Sequence, residues 1–257
     1  MNAPPRRIVS LVPSTTESVC AFGVGDRLAA CTRYCTEPAD ELRAVPRIGG
    51  TKNPDREAIA ALSPDLVLGN AEENRPEDLE WFAARVPTLV QTPRTVVEAA
   101  AELRALAQRL DVADACAPLL LRVEAQLASA QVAALDRWRP RVYYAIWRKP
   151  WMTVGRDTFV HDVLRVVGAD NVAADEAARY PEMAPEVAVE RGVDLVLLAS
   201  EPWEFDERQR RELLDAGAFG DAAVLLCDGR DFCWHGARMA DGLGRALALL
   251  QRSLGDS

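Results

Sequence analysis

Apolar positions along this chain follow two periods in turn, one of strands and one of helices. Ile8–Val12 is a short apolar run closed by Pro13, which predicts a buried strand. Ser14-Thr15-Thr16-Glu17 fits a capping box, with Ser14 as N-cap, and predicts a helix through Phe22 that stops at Gly23 and Gly25. Strands are predicted at Leu28–Cys31, Pro64–Leu68 and Thr88–Gln91, with helices at Asp55–Leu62 and Leu79–Arg85 between them. After Pro140 the alternation restarts. Arg141–Ile146, Asp194–Ala199 and Ala223–Cys227 read as strands. Thr158–Val167, Pro185–Arg191, Arg208–Ala216 and Arg238–Leu254 read as helices, and Gly168–Asn171 as a turn. Strand and helix in alternation imply parallel α/β sheets.

Between these halves the strand signal vanishes. Val97, Ala101, Leu103, Leu106 and Leu110, then Leu119, Leu120, Val123, Leu127, Val132 and Leu135, recur at helical spacing. Asp111–Asp114 divides two helices. The second, Ala113–Arg137, would run about 37 Å at 1.5 Å per residue, too long to cover one small sheet. The halves also echo each other: Ser63-Pro64-Asp65-Leu66-Val67-Leu68 matches Gly192-Val193-Asp194-Leu195-Val196-Leu197. Each segment follows a short helix and precedes an acidic loop, 71–77 or 201–207. Two similar lobes joined by one helix explain this pattern; convergence of common α/β patterns is the alternative. The predicted fold is therefore α/β, two lobes each with a central, mostly parallel sheet, bridged by one long helix. The boundaries fall at residues 1–111, 112–138 and 139–257.

Composition narrows the function. The 257 residues carry 30 Lys+Arg against 39 Asp+Glu, a formal charge of −9, which argues against a nucleic-acid binder. Apolar residues make up 49% of the chain, enough for a real core, yet no stretch is long and apolar enough to span a bilayer. Six cysteines without a CxxC pair read as free thiols, and two histidines, His161 and His235, make a zinc site a poor reading. The start has no apolar h-region of the export type, and Glu17-Ser18-Val19 before Cys20 is a poor lipoprotein cleavage site. The chain as written is thus expected in the cytoplasm, or in the periplasm or at the cell surface if a leader has been removed.

No nucleophile elbow, dinucleotide fingerprint or phosphate loop is present, so the chain is expected not to be an enzyme and to need no catalytic cofactor. The aromatic residues say more. Tyr143, Tyr144, Trp147 and Trp151 cluster on and after one predicted strand, Trp203 and Phe205 after the next, and Phe232, Trp234 and His235 after the last. Ligands of open α/β sheets bind beyond the carboxyl ends of strands, and large rings suit a flat, bulky ligand. The competing reading is core packing, strongest for Tyr143 or Tyr144. Arg33, Arg148, Lys149, Arg156 and Arg238 could meet anionic groups or simply be solvated. Glu72 and Glu73 in one half, and Glu201 and Glu204 in the other, could dock onto arginines of a partner or form plain acidic loops.

Three segments carry a family resemblance. RIVSLVPSTTE at 7–17, SPDLVL at 63–68 and WMTVGRDTFVHDVLRVVGADN at 151–171 resemble, in order and spacing, the substrate-binding proteins of the cobalamin and iron-chelate uptake class. The likeness runs over essentially the whole chain. It implies two α/β lobes bridged by one helix, a chelate held in the inter-lobe cleft, and an ABC permease as partner. The cobalamin-binding branch is nearest: Tyr34 lies where that branch has a pocket tyrosine, Tyr180 where it has a pocket tryptophan, and 232–235 on its last pocket loop. Near 48–50 that branch carries a further pocket tryptophan, which this chain lacks. The family's docking glutamates match Glu73, and Glu201 or Glu204.

The expectation is a monomeric binding protein for cobalamin, with haem or a ferric siderophore as alternatives. Tyr34, Trp147, Trp151, Tyr180, Trp203, Phe232, Trp234 and His235 would line the site, with His235 as a possible metal ligand. Its rivals are a cytosolic enzyme or chaperone acting on such a chelate on the same scaffold, and an interaction protein with a degenerate cleft.

Overall fold

Short apolar strands ended by proline or a polar turn, each answered by a helix, build the chain in a computed structural model that describes residues 3–135 and 137–255. The first half runs β1 (Ile8–Ser10), α1 (Pro13–Ala21), β2 (Leu28–Cys31), α2 (Ala39–Leu42), the hairpin β3 (Gly49–Gly50) and β4 (Asn53–Pro54), α3 (Arg56–Ala61), β5 (Leu66–Asn70), α4 (Pro76–Ala83), β6 (Thr88–Gln91) and α5 (Val96–Arg109). Next come α6 (Ala117–Ala133), β7 (Arg141–Ala145), the hairpin β8 (Trp147–Arg148) and β9 (Trp151–Met152), α7 (Phe159–Val166), β10 (Asp170–Asn171), α8 (Pro185–Glu190), β11 (Leu195–Ala199), α9 (Glu207–Asp215), β12 (Ala223–Cys227), α10 (Arg230–Cys233) and α11 (Met239–Gly255). None of the described helices is long and apolar enough to cross a membrane.

The chain forms two compact units. One comprises Met1–Pro93, Val97–Arg122 and His235–Arg238; the other comprises Arg94–Val96, Val123–Trp234 and Met239–Ser257. Each holds one parallel four-stranded sheet, ordered β2-β1-β5-β6 in the first and β10-β7-β11-β12 in the second. The orders are the same once β7 is laid on β1 and β11 on β5. The helical covers bury Val9, Ile59, Val67 and Phe82 against one sheet and Tyr143, Val196, Leu198 and Phe219 against the other.

The repeated motif has a structural cause. The Asp65 carboxylate accepts from the backbone N–H of Arg6 (2.8 Å) and Arg7 (3.0 Å), and its own N–H donates to the Arg7 carbonyl. Asp194 does the same to Arg141, accepting its N–H at 2.7 Å and donating to its carbonyl at 2.8 Å. Each aspartate therefore clamps the entry of the central strand and sets the register that follows, Ile8 opposite Leu66 and Val142 opposite Leu195. Two residues earlier, Ser63 and Gly192 both take positive φ, 48° and 69°, to end the preceding helix.

Most boundaries shift by one to three residues, as at α4, which starts at Pro76 and not at Leu79, and the differences at α1, α6 and the 168–171 turn have clear physical reasons. Helix α1 starts at Pro13 with Val12 as its N-cap, whose apolar side chain makes no capping hydrogen bond, so Ser14 and Glu17 form no capping box. Proline at the first turn lacks the N–H that a cap would satisfy, and Ser14 is buried inside the helix. A capping box is formed instead by Asp206 with Gln209, at α9. Helix α6 covers 17 residues, not Ala113–Arg137, so it is about 25 Å long. The 168–171 turn also contributes β10, an edge strand too short to show a period.

Candidate functional site

In a parallel sheet whose strand order reverses, the carboxyl ends on either side of the reversal leave a crevice. Here those pairs are β1 with β5 in the first unit and β7 with β11 in the second.

The first crevice is filled by polar groups. His235 Nε2 lies 3.3 Å from Ser14 Oγ and 3.3 Å from Asn70 Nδ2. Asn70 Oδ1 accepts the backbone N–H of Glu72 (2.7 Å) and Glu73 (3.3 Å), which turns its amide NH₂ toward the ring. Nε2 is then the acceptor, and the ring proton sits on Nδ1. Burial pushes the His235 pKa down to about 4, so the ring is neutral near pH 7 with its Nε2 lone pair engaged. His161, half-buried on α7, lies 3.3 Å from Asn171 Nδ2 through its Nδ1, and burial lowers its pKa as well. Among the described residues no group of three or more His, Cys, Asp or Glu side chains could hold a metal ion. Asn74 completes the turn by accepting the Asn70 N–H and donating to the Leu11 and Thr51 carbonyls. Tyr34 is 51% exposed beyond β2, with the Arg33 guanidinium 5.1 Å from its ring centroid. Glu73 is half-buried in the β5–α4 loop. Arg238 is committed to Glu17, Nη2 to Oε1 at 2.8 Å and Nε to Oε2 at 3.1 Å.

The second crevice is finished with rings. Trp147 opens the β8–β9 hairpin, is 36% exposed, and packs edge-on to Trp203 with centroids 4.9 Å apart. From there a ladder of rings runs inward. Trp203 meets Phe205 at 6.4 Å, Phe205 stacks on Trp151 at 5.9 Å, and Trp151 meets Phe219 at 5.7 Å. Phe219 in turn contacts the fully buried Tyr143 at 5.3 Å. The Trp203 indole N–H is buried without a hydrogen-bond partner. Tyr180 is 39% exposed, on a segment laddered to the chain after β9: Met183 N–H to Trp151 O, Thr153 N–H to Pro181 O, Gly155 N–H to Arg179 O. A Cβ at Gly155 would come within 2.3 Å of the Ala178 carbonyl, so glycine is required for that approach. Asn171 braces the same segment, donating to the Val154 carbonyl at 2.7 Å.

The post-β12 residues divide differently. Phe232 is 1% exposed and packs on Tyr144 at 5.3 Å, and Trp234 is 6% exposed. Neither offers an open ring face in this structure. Glu201 is drawn in with them: Cys233 Sγ donates to its Oε1 at 3.3 Å, the Trp234 side chain also bonds it, and burial raises its pKa. Glu204 is exposed. Arg148 pairs with Glu212 at 3.1 Å.

The structure thus brings Trp147, Trp151 and Trp203 together, and sets Phe232, Trp234 and Glu201 in a buried cluster. Ser14, Asn70 and Asn74 were missed by sequence reasoning. A polar residue ending an apolar strand, Asn70 after Leu66–Leu68, is the signal that could have found them. A cavity of about 280 Å³ on α5 and the start of α6, lined by Arg104, Gln108, Asp114 and Leu121, holds none of the candidate residues.

Two crevices on twin parallel sheets go with the family match: the chain belongs to the periplasmic binding protein family, whose model matches residues 8–215. That family binds solutes and does not transform them. A vitamin B12-binding protein of Vibrio parahaemolyticus is 30% identical over 193 residues, 74% of this chain and 69% of that protein. The structure of a periplasmic heme-binding protein of Roseiflexus sp. RS-1 superposes with a TM-score of 0.83 at 25% identity, covering 96% of this chain and 98% of the other. That of a periplasmic vitamin B12-binding protein of Vibrio cholerae also gives 0.83, at 21% identity and 98% of both chains, a likeness of fold.

Proposed function

We propose that this protein captures a bulky, planar metal chelate and presents it to an ABC permease, with cobalamin as the preferred ligand and haem or a ferric siderophore as alternatives. The observation that carries this reading is the Trp147–Trp203 pair at the carboxyl edge of β7 and β11, where an exposed indole adjoins a buried N–H with no partner. A wall of partly exposed rings suits a flat macrocycle. Tyr180 and Tyr34 add exposed rings at the carboxyl edges of their own sheets. The buried His235, the candidate ligand of the sequence, is engaged by Ser14 and Asn70, which favours a chelate gripped by its organic periphery, its metal already fully ligated, and so favours cobalamin. The names of the relatives support the same class. On this reading the protein works in the periplasm or at the cell surface, as a monomer, and Glu73 and Glu204 present carboxylates to the permease.

Titration with aquocobalamin, cyanocobalamin, haem and ferric siderophores, followed by tryptophan fluorescence, tests the reading. The expected result is cobalamin binding below about 10 μM, equivalent to roughly 7 kcal/mol. No binding by any of the four would overturn it. Ligand recovered chemically unchanged separates a receptor from an enzyme on this scaffold.

A further inference from the structure

Each unit carries an arginine–tyrosine step after the edge strand beside its first central strand: Arg33-Tyr34 after β2, and Arg179-Tyr180 after β10. In both, the guanidinium lies by the neighbouring ring, 5.1 Å from the Tyr34 centroid and 5.8 Å from that of Tyr180, and both tyrosines are exposed. The two arginines differ in what they hold. Arg179 Nε donates to the Asp157 carbonyl at 2.6 Å and lies 3.5 Å from Asp157 Oδ2, a carboxylate that also pairs with Arg94 at 3.1 Å. Arg33 is exposed, and among the described residues no carboxylate pairs with it; its Nη2 donates to the Tyr34 hydroxyl at 3.5 Å. We infer that Arg33 is a specificity-determining residue, which takes an anionic oxygen arm, phosphodiester or carboxylate, of a chelate that covers the Tyr34 ring. The inference rests on the chelate-binding reading and adds the chemical class of arm that the ligand must carry.

An exposed arginine is ordinarily a solvated charge; this one is held in place from three sides. The Arg33 N–H donates to the Gly49 carbonyl at 2.9 Å. Arg47 Nη1 donates to the Thr32 and Cys35 carbonyls at 3.2 and 2.7 Å and lies 2.7 Å from the Cys31 sulfur, so the backbone is pinned on both sides of the Arg33-Tyr34 step. Gly50 of the β3–β4 hairpin forms the floor: a Cβ there would lie 3.2 Å from Arg33 Nη2 and 3.1 Å from Tyr34 Cε2. That hairpin is tied to the first crevice, because the Asn74 amide bonds both the Thr51 and the Leu11 carbonyls. The pair is thus fixed at the carboxyl edge of the first sheet, and little side-chain freedom is left to lose when a ligand arrives. A guanidinium presents five N–H donors in a planar fork that matches two oxygens of a carboxylate or phosphate. Apart from the bond to Tyr34, the Arg33 donors have no protein acceptor among the described residues. Cobalamin carries a phosphodiester in its nucleotide loop and haem carries propionates, so either chelate can supply the anionic oxygens.

The test measures affinity, by tryptophan fluorescence, for two pairs of ligands that differ in the acid group. Cyanocobalamin is set against dicyanocobinamide, which lacks the nucleotide and its phosphodiester, and haem against haem dimethyl ester, whose propionates are capped. In at least one pair Arg33→Gln should weaken the acid-bearing member about tenfold and the other member less than about twofold. The pair that responds tells phosphodiester from carboxylate. Arg179→Gln should discriminate less within that pair, since its partner Asp157 already supplies an anion. Equal losses for both members of each pair, no loss for either acid-bearing ligand, or stronger discrimination by Arg179 than by Arg33 would each overturn the inference and leave the chelate reading standing. Binding of neither cyanocobalamin nor haem by the unaltered chain would also overturn it, and the titration that includes siderophores then decides the reading separately. The urea midpoint of Arg33→Gln should match that of the unaltered chain, which separates a loss of binding from a loss of folding.

Discussion

The two sheets share strand order, parallel sense and an aspartate clamp, yet their crevices are finished in opposite ways. Beyond β1 and β5 a neutral histidine is sealed among Ser14 and Asn70. Beyond β7 and β11 an exposed indole heads a ladder of rings that descends to Tyr143. A duplicated frame thus fixes where a crevice lies, and the side chains placed there decide whether polar groups close it or rings line it. The difference is energetic: a buried polar cluster holds only when its members satisfy one another, whereas rings can stay partly exposed at modest cost until a ligand covers them.

The largest effect expected separates the rings of the second unit into two kinds. Phe232→Ala should destabilise the protein by about 3–5 kcal/mol, since it empties a fully buried site against Tyr144. Trp147→Ala and Tyr180→Ala should each leave the urea midpoint nearly unchanged but weaken chelate binding by roughly 1–3 kcal/mol. Equal losses of stability in all three would erase the distinction between supporting and exposed rings.

Acid should strain the first crevice selectively. The folded-state pKa of His235 near 4 lies below the ordinary 6.5, so the unfolded chain takes up the proton first. Stability from this group is intact above about pH 7 and falls as pH drops from 6.5 toward 4, by about 3 kcal/mol. Urea unfolding at pH 7.5 and pH 4.5 should show His235→Gln losing less over that interval than the unaltered chain. Parallel losses would mean that the ring is not sealed.

The clamps sharpen what the units have in common. Asp65 holds two N–H groups and Asp194 one, so Asp65→Ala should cost about 2 kcal/mol and Asp194→Ala about 1 kcal/mol in denaturant unfolding. The reverse order would deny the equivalence. The smallest effect falls two residues earlier. Ser63 holds a positive φ where its counterpart is Gly192, and Ser63→Gly should add a few tenths of a kcal/mol. A loss of stability there would show that the Ser63 side chain contributes more than its backbone strain costs.

Much of this was legible along the chain. Thr88–Gln91 and Ala223–Cys227 are strands at the predicted residues, because a run of apolar residues bounded by proline, aspartate or glycine leaves the backbone few other choices. The SPDLVL and GVDLVL echo marked equivalent strands, since the same clamp needs an aspartate at the same place. The exposure of the candidate rings was not legible: Trp147 and Trp234 look alike in sequence and differ sixfold in exposure.

Local pattern, then, determined the elements, their parallel pairing and the absence of a catalytic motif, because each depends on neighbours within a few residues. Only the folded chain decided which rings stay open, that His235 is spent on Ser14 and Asn70, and that Arg47 reaches both Cys31 Sγ and the Cys35 carbonyl. Those outcomes depend on groups up to 221 residues apart, and solvent exposure and protonation are set by what the tertiary structure brings alongside.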